Sequence, residues 1–332
     1  VARDADSRGA GTGARSDRRA ELVLGALAVL VLAVIAAMLV TVLVKAWPSF
    51  SYNGASWFGP GGNVEEQLKA MRDNAPLPGH GVLYFRAWPL IWGTLITTGA
   101  AVVIALVVST LAAVFLTEFA PAAVRRVLDP VIRLLAAVPS VIYGLIGILA
   151  IAPWINEHLI SNGRKQSVIY VVSISGTDLI TAVLILTVMI LPIMVAISVN
   201  TLDAVPLSWR EGSAALGVNR WRTIRRVSLR MATPAIAAAT VLATARALGE
   251  AVMLSMVSGS HAFAANPLDG LTFLYEPVQP LAATILHEFG GTTVGPLAHT
   301  MYAIAAVLLI SATLLSFVGW AAKQPLKRYG VS

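Results

Sequence analysis

No cysteine occurs in the 332 residues, which excludes a disulfide framework, a thiolate metal site and a cysteine nucleophile. Charge is scarce too: only 12% of residues are Asp, Glu, Lys or Arg, about half the share of an ordinary soluble domain. The pattern G-x-x-x-x-G-K-[ST] is absent, so the chain does not bind ATP through that phosphate loop. His80, His158, His261, His287 and His299 show no H-x-x-x-H spacing, and "HEFG" at 287–290 lacks the second histidine of a zinc protease. No metal site is expected from them. What abounds is apolar: 57% of residues are hydrophobic and the mean hydropathy is +0.77. The chain reads as an all-α, polytopic integral membrane protein.

A bilayer core of about 30 Å takes roughly 20 helical residues at 1.5 Å each. Six charge-poor stretches meet that length, at 21–46, 87–118, 131–156, 179–202, 233–258 and 298–322. The first exceeds the roughly 7–15 apolar residues of a secretory signal, which favours a retained helix. Orientation follows from lysine and arginine. One face collects Arg3, Arg8, Arg15, Arg18, Arg19, Arg125, Arg126, Arg133, Arg210, Arg220, Arg222, Arg225, Arg226, Arg230, Lys323, Lys327 and Arg328, 17 of the 24 cationic side chains. That bias predicts both termini inside (N-in, C-in). Residues 1–20 then form a basic, mobile cytoplasmic tail that touches anionic lipid, and 323–332 a second tail. Segments 47–86 and 259–297 read as external and irregular, with room for short helices. The net charge of +7 suits a membrane surface; nucleic acid is not an expected partner.

The segment "SWREGSAALGVNRWRTIRRVSLR", 208–230, lies in the 203–232 loop between the fourth and fifth spans. A short helix from about Trp209 to Leu216 would stop at Gly217, and a second would start with Asn219 as its N-cap. Periodicity alone fits a basic hairpin with Arg220, Arg222, Arg225 and Arg226 at lipid headgroups and Trp209 and Trp221 at the interface.

Within the fifth span, "ATARALGEAVML" sets Arg246 and Glu250 four positions apart. A lone arginine at that depth costs roughly 3 kcal/mol on insertion scales and must face protein or water. Two roles fit: an ion pair on one helix face, or a guanidinium fork offered to an oxyanion, with Glu250 as counter-charge. Pro139 and Pro192 fall inside the third and fourth spans and should kink them; Gly144 and Gly147 thin the third for close packing. Ser140 and Tyr143 carry hydroxyls that either bond a neighbouring carbonyl or donate to a passing anion. Glu118 and Asp178 close and open their helices as structural groups.

Residues Glu211, Ala215, Gly217 and Leu229 give the loop a resemblance to the E-A-A coupling loop of ATP-binding-cassette importer permeases. Gly212, Ser213 and Arg230 depart from that pattern. "FLTEFAP" at 115–121, "WGTLITT" at 92–98, "LLAAVPSVIYGLIG" at 134–147 and "ARALGE" at 245–250 look like the phosphate-specific importer permeases. "LAATILHEFG" at 281–290 tilts the resemblance to the PstC-type subunit. The resemblance implies an ABC importer permease fold with a cytoplasmic coupling helix, and a pore subunit that is not itself an enzyme. It implies a homologous PstA-type permease, an ATPase dimer carrying ATP and Mg, and an extracytoplasmic phosphate-binding protein, with no cofactor on this chain. Glu211, Ala214, Ala215, Gly217, Asn219 and Arg220 would meet the ATPase; Arg246, Glu250, Ser140 and Tyr143 would line the phosphate path. A permease for another oxyanion, or a proton-coupled secondary transporter using Arg246 and Glu250, remains open on the residues alone.

Overall fold

The computed structural model describes residues 10–161, 163, 175–260, 263–293 and 295–327. Expectations on Arg3, Arg8, His261 and Arg328 lie outside them. The described residues are mostly helical and contain no strand. Six helical stretches are long and apolar enough to cross a membrane: Ala20–Phe58, Trp88–Phe119, Ser140–His158, Leu179–Asp203, Arg220–Leu248 and Gly295–Ala321.

Helix α1, Ala10–Asn53, extends at both ends beyond the expected 21–46. The stretch 10–20 that the sequence suggests is mobile is therefore helical. From Ala20 to Lys45 its side chains stay almost wholly uncovered by the rest of the chain. That is tolerable only for a helix apolar all round in a lipid or protein environment. Covering begins at Ala46, and from there segment 47–86 builds a small core around short helices. Trp57, Phe85 and Met71 are fully buried there, with Val64 and Leu68 of α2 (Val64–Arg72) and with Leu297, Met301 and Ile304 of the last helix.

The centre of the molecule is α3, Trp88–Val114, packed on α7, Leu179–Asp203. Between them in sequence come α4 (Ala122–Ala137), α5 (Ser140–Ile146) and α6 (Ala152–His158). The third span does not run as one kinked helix from 131. Val138 and Pro139 are extended, with ψ of 130° and 139°, because proline lacks the N–H a helix needs and crowds the residue before it out of helical geometry. Pro192, by contrast, stays inside an unbroken α7.

After α7 come α8 (Leu207–Ala215) and α9 (Arg220–Thr223), and α9 continues through a π-helical turn, Ile224–Ser228, into α10 (Leu229–Leu248). The fifth span thus starts within the arginine-rich loop and ends ten residues earlier than 258. A separate helix, α11 (Val252–Val257), follows the break. The remaining helices are α12 (Leu281–His287) and α13 (Gly295–Lys327). Gly144 and Gly147 present the expected thin face. A Cβ on Gly144 would lie 2.8 Å from the Met256 sulfur, and one on Gly147 would lie 2.5 Å from Val257 Cγ1, so α11 packs directly on α5.

Candidate functional site

Arg246 sits near the C-terminal end of α10, and its side chain is exposed. It borders an open groove of about 330 Å³ lined by Ile190, Ile193, Leu242, Ala243 and Ala245. Ile190 and Ile193 flank the midpoint of the 25-residue α7, whose length is about 37 Å at 1.5 Å per residue. The side chain therefore stands level with the middle of α7, among apolar walls. Among the described residues no carboxylate lies within the 4.0 Å of an ion pair with it.

Glu250 does not pair with Arg246, because no continuous helix carries both. The helix ends at Leu248, Gly249 follows as its C-cap, and the i, i+4 relation is lost. Glu250 instead turns to the next element: its Oε1 accepts a hydrogen bond from the Met253 backbone N–H at 3.1 Å. It thus satisfies one of the open N–H groups at the start of α11. The sequence holds only an ambiguous signal for this break, a glycine at 249 inside an apolar window.

Ser140 is the first residue of α5 and half-exposed, just after the extended Val138–Pro139 link. Tyr143 is only 7% exposed. Its hydroxyl donates to the Leu135 carbonyl at 2.8 Å, so it closes one of the open carbonyls at the end of α4. Its single donor is thereby used by the fold. Gly144, next to Tyr143, faces the Met253 backbone, whose N–H is the one from which Glu250 accepts.

The arginine-rich loop forms the two expected short helices. Gly217 takes φ of +71°, a conformation that costs a side chain-bearing residue about 1 kcal/mol or more. Its N–H donates to the Ala214 carbonyl at 2.9 Å, and Asn219 Oδ1 accepts from the Arg222 N–H at 2.8 Å. The hydroxyls of Ser213 and Thr223 meet at 2.8 Å and join the two helices. Glu211, Ala214, Ala215, Gly217, Asn219 and Arg220 are all exposed, and Leu216 between them is 84% exposed. The tip is thus a hydrogen-bonded two-helix hairpin with an uncovered leucine at its turn.

This tip is tied to the ends of α3 and α7 by contacts that sequence reasoning missed. Arg210 Nη1 lies 3.0 Å from Glu118 Oε1, and its Nη2 donates to the Leu202 carbonyl at 2.6 Å. The Arg220 guanidinium covers the Phe119 ring at 4.8 Å. Arg125 of α4 pairs with Asp203, and with Asp129 at 3.4 Å; the Asp203 hydrogen bond holds its guanidinium above the ordinary arginine pKa. At the opposite end of α7, Asp178 caps the helix by accepting from the Thr181 N–H at 2.9 Å. Burial pushes its carboxyl up to about 6.

Residues 105–323 match the family described as binding-protein-dependent transport system inner membrane component. The chain belongs to that family. The match covers the second half of α3 through α13, and with them every candidate residue above; it leaves out α1 and α2. A probable ABC transporter permease protein, YqgH, of Bacillus subtilis is 33% identical over 300 residues, 89% of this chain and 87% of that one. The phosphate transport system permease protein PstC 1 of Mycobacterium tuberculosis is 31% identical over 252 residues, covering 74% and 73%. PstC of Haemophilus influenzae is 29% identical and covers 87% and 89%. Among solved structures, a bacterial alginate ABC transporter superposes with a TM-score of 0.55 over 96% of this chain and 98% of the other, at 13% identity. That likeness is one of fold. As a binding-protein-dependent inner membrane component, the chain is a multi-pass membrane permease.

Proposed function

We propose that the chain is a PstC-type half of the pore of an ATP-driven importer that moves inorganic phosphate into the cell. The observation that carries the proposal is Arg246, uncovered and unpaired at the level of the α7 midpoint. A guanidinium in that position needs protein or water around it. A second, PstA-type permease packed over the groove supplies both and turns the groove into a lined path. In that path Arg246 presents a bidentate fork to a tetrahedral oxyanion, and Ser140 adds a hydroxyl near the α4–α5 break. Tyr143 contributes a donor only when it releases Leu135. The relatives named as phosphate permeases support phosphate as the anion.

The remaining parts follow from the same reading. The N-terminus and the arginine-rich end lie in the cytoplasm, as the distribution of cations favours. Two ATPase subunits, which carry ATP and Mg, receive the α8 tip through Glu211, Ala214, Ala215, Gly217, Asn219 and Arg220. A phosphate-binding protein delivers its cargo at the opposite face. ATP binding and hydrolysis shift the assembly between conformations, since the ATPases hold α8 differently in each state. Glu250, which caps α11 rather than neutralising Arg246, leaves the guanidinium free for an anion and accepts a hydrogen bond from the P–OH of hydrogenphosphate, a donor that sulfate lacks.

The test is uptake of labelled phosphate into vesicles holding the chain, its permease partner and the ATPase, with binding protein outside and ATP inside. The proposal expects uptake that needs both ATP and binding protein. Uptake by the chain alone, without ATP, would establish a secondary transporter instead.

A further inference from the structure

Glu118 poses a problem that the pore reading does not use. It sits in the π-helical last turn of the second span, Phe115–Phe119, where a carboxylate faces the negative end of the helix dipole. Its side chain is only 10% exposed. A cation must offset both penalties, and Arg210, itself 20% exposed, lies across from it at 3.0 Å. The geometry meets ion-pair distance without an aligned hydrogen bond, and Arg210 Nε has no partner. As a static clasp this is poor; as a contact between two parts that move it is well placed, because Coulomb attraction tolerates small rotations that a hydrogen bond does not.

Its position gives the pair its meaning. Arg210 lies on α8, the element that carries the exposed tip. Its guanidinium reaches the end of α3 through Glu118 and the end of α7 through the Leu202 carbonyl. Those two helices form the central pair of the bundle, and α7 brings Ile190 and Ile193 to the Arg246 groove. We infer that the Arg210–Glu118 pair is the link through which displacement of α8 is transmitted to α3 and α7, and hence to the groove. Arg220 on Phe119 braces the same turn. Arg210 and Glu118 are positioning residues: neither touches ATP or the transported anion. The inference rests on the importer reading above.

The experiment uses the complete reconstituted importer and reads phosphate taken up per ATP hydrolysed. Glu118→Gln keeps shape and removes charge. It is expected to leave ATP hydrolysis close to wild type while uptake per ATP falls about tenfold, the factor equivalent to ~1.4 kcal/mol of coupling energy. Because the chain has no native cysteine, Glu118→Cys with Arg210→Cys can be joined by a short reductant-cleavable bis-thiosulfonate bridge. The bridged form should regain coupling and lose it again on cleavage. Wild-type uptake per ATP in Glu118→Gln overturns the inference. If that variant fails to assemble, the cysteine pair decides, and coupling indifferent to the bridge overturns it equally. A wild-type complex without ATP-dependent uptake would refute the importer reading itself, a result distinct from either.

Discussion

Asp178→Asn should stabilise the protein, and by an amount that depends on pH. Asp178 is fully buried at the start of α7, with one carboxylate oxygen on the Thr181 N–H and the other without a partner. Burial lifts its pKa from 3.8 to about 6, so the folded state binds the proton more tightly than the unfolded chain. For a carboxyl raised in this way, stability is greatest below pH 4, falls as pH climbs from 3.8 toward 6, and stays low above. The full penalty at pH 8 is about 3 kcal/mol, and about half of it is present at pH 5. Asparagine caps a helix nearly as well as aspartate and carries no charge to desolvate. The melting midpoint in detergent, followed by tryptophan fluorescence at pH 8 and pH 5, should therefore rise by several degrees at pH 8. The gain at pH 5 should be about half as large. A variant no more stable than wild type at pH 8, or one with the same gain at both values, would refute a buried ionised Asp178.

Tyr143→Phe leaves the Leu135 carbonyl without its donor and should cost about 1–3 kcal/mol, seen as a lower melting midpoint. Loss of uptake with unchanged melting would instead assign the hydroxyl to the anion. Gly147→Ala drives a methyl into Val257 and Ile185 and should destabilise by roughly 1–3 kcal/mol. Gly99→Ala in α3 meets open space and should be neutral or slightly stabilising; equal losses at the two sites would contradict the α5–α11 packing. Gly217→Ala strains the left-handed turn at φ of +71°, and co-purification of the ATPase should weaken while the permease itself stays folded. Glu250→Gln should narrow the preference for phosphate over sulfate in the reconstituted complex, whereas an unchanged ratio would leave discrimination to the binding protein.

Much of the architecture is readable from hydropathy because a bilayer forces each span to be long and apolar. The α8 hairpin was equally legible, since Gly217 and Asn219 act through local backbone chemistry. The breaks at Pro139 and Gly249 were not, because a proline or glycine inside an apolar window signals either a kink or a stop. The choice depends on what satisfies the freed backbone groups: Tyr143 closes α4, and Glu250 opens α11. The second break is also why the expected Arg246–Glu250 pair does not form. The ties of Arg210 to Glu118 and of Arg125 to Asp203 join residues far apart in the chain, and nothing in one sequence announces such partners.

Arg246 is the centre of the account, and its replacement tests it most directly. Binding-protein-dependent, ATP-driven phosphate uptake should be compared for wild type, Arg246→Lys and Arg246→Gln in complexes of equal assembly and equal ATP hydrolysis. If the guanidinium meets the anion in the path, the lysine variant retains part of the uptake, since it keeps the charge without the bidentate fork. The glutamine variant then falls to background. Wild-type uptake by Arg246→Gln would contradict the account.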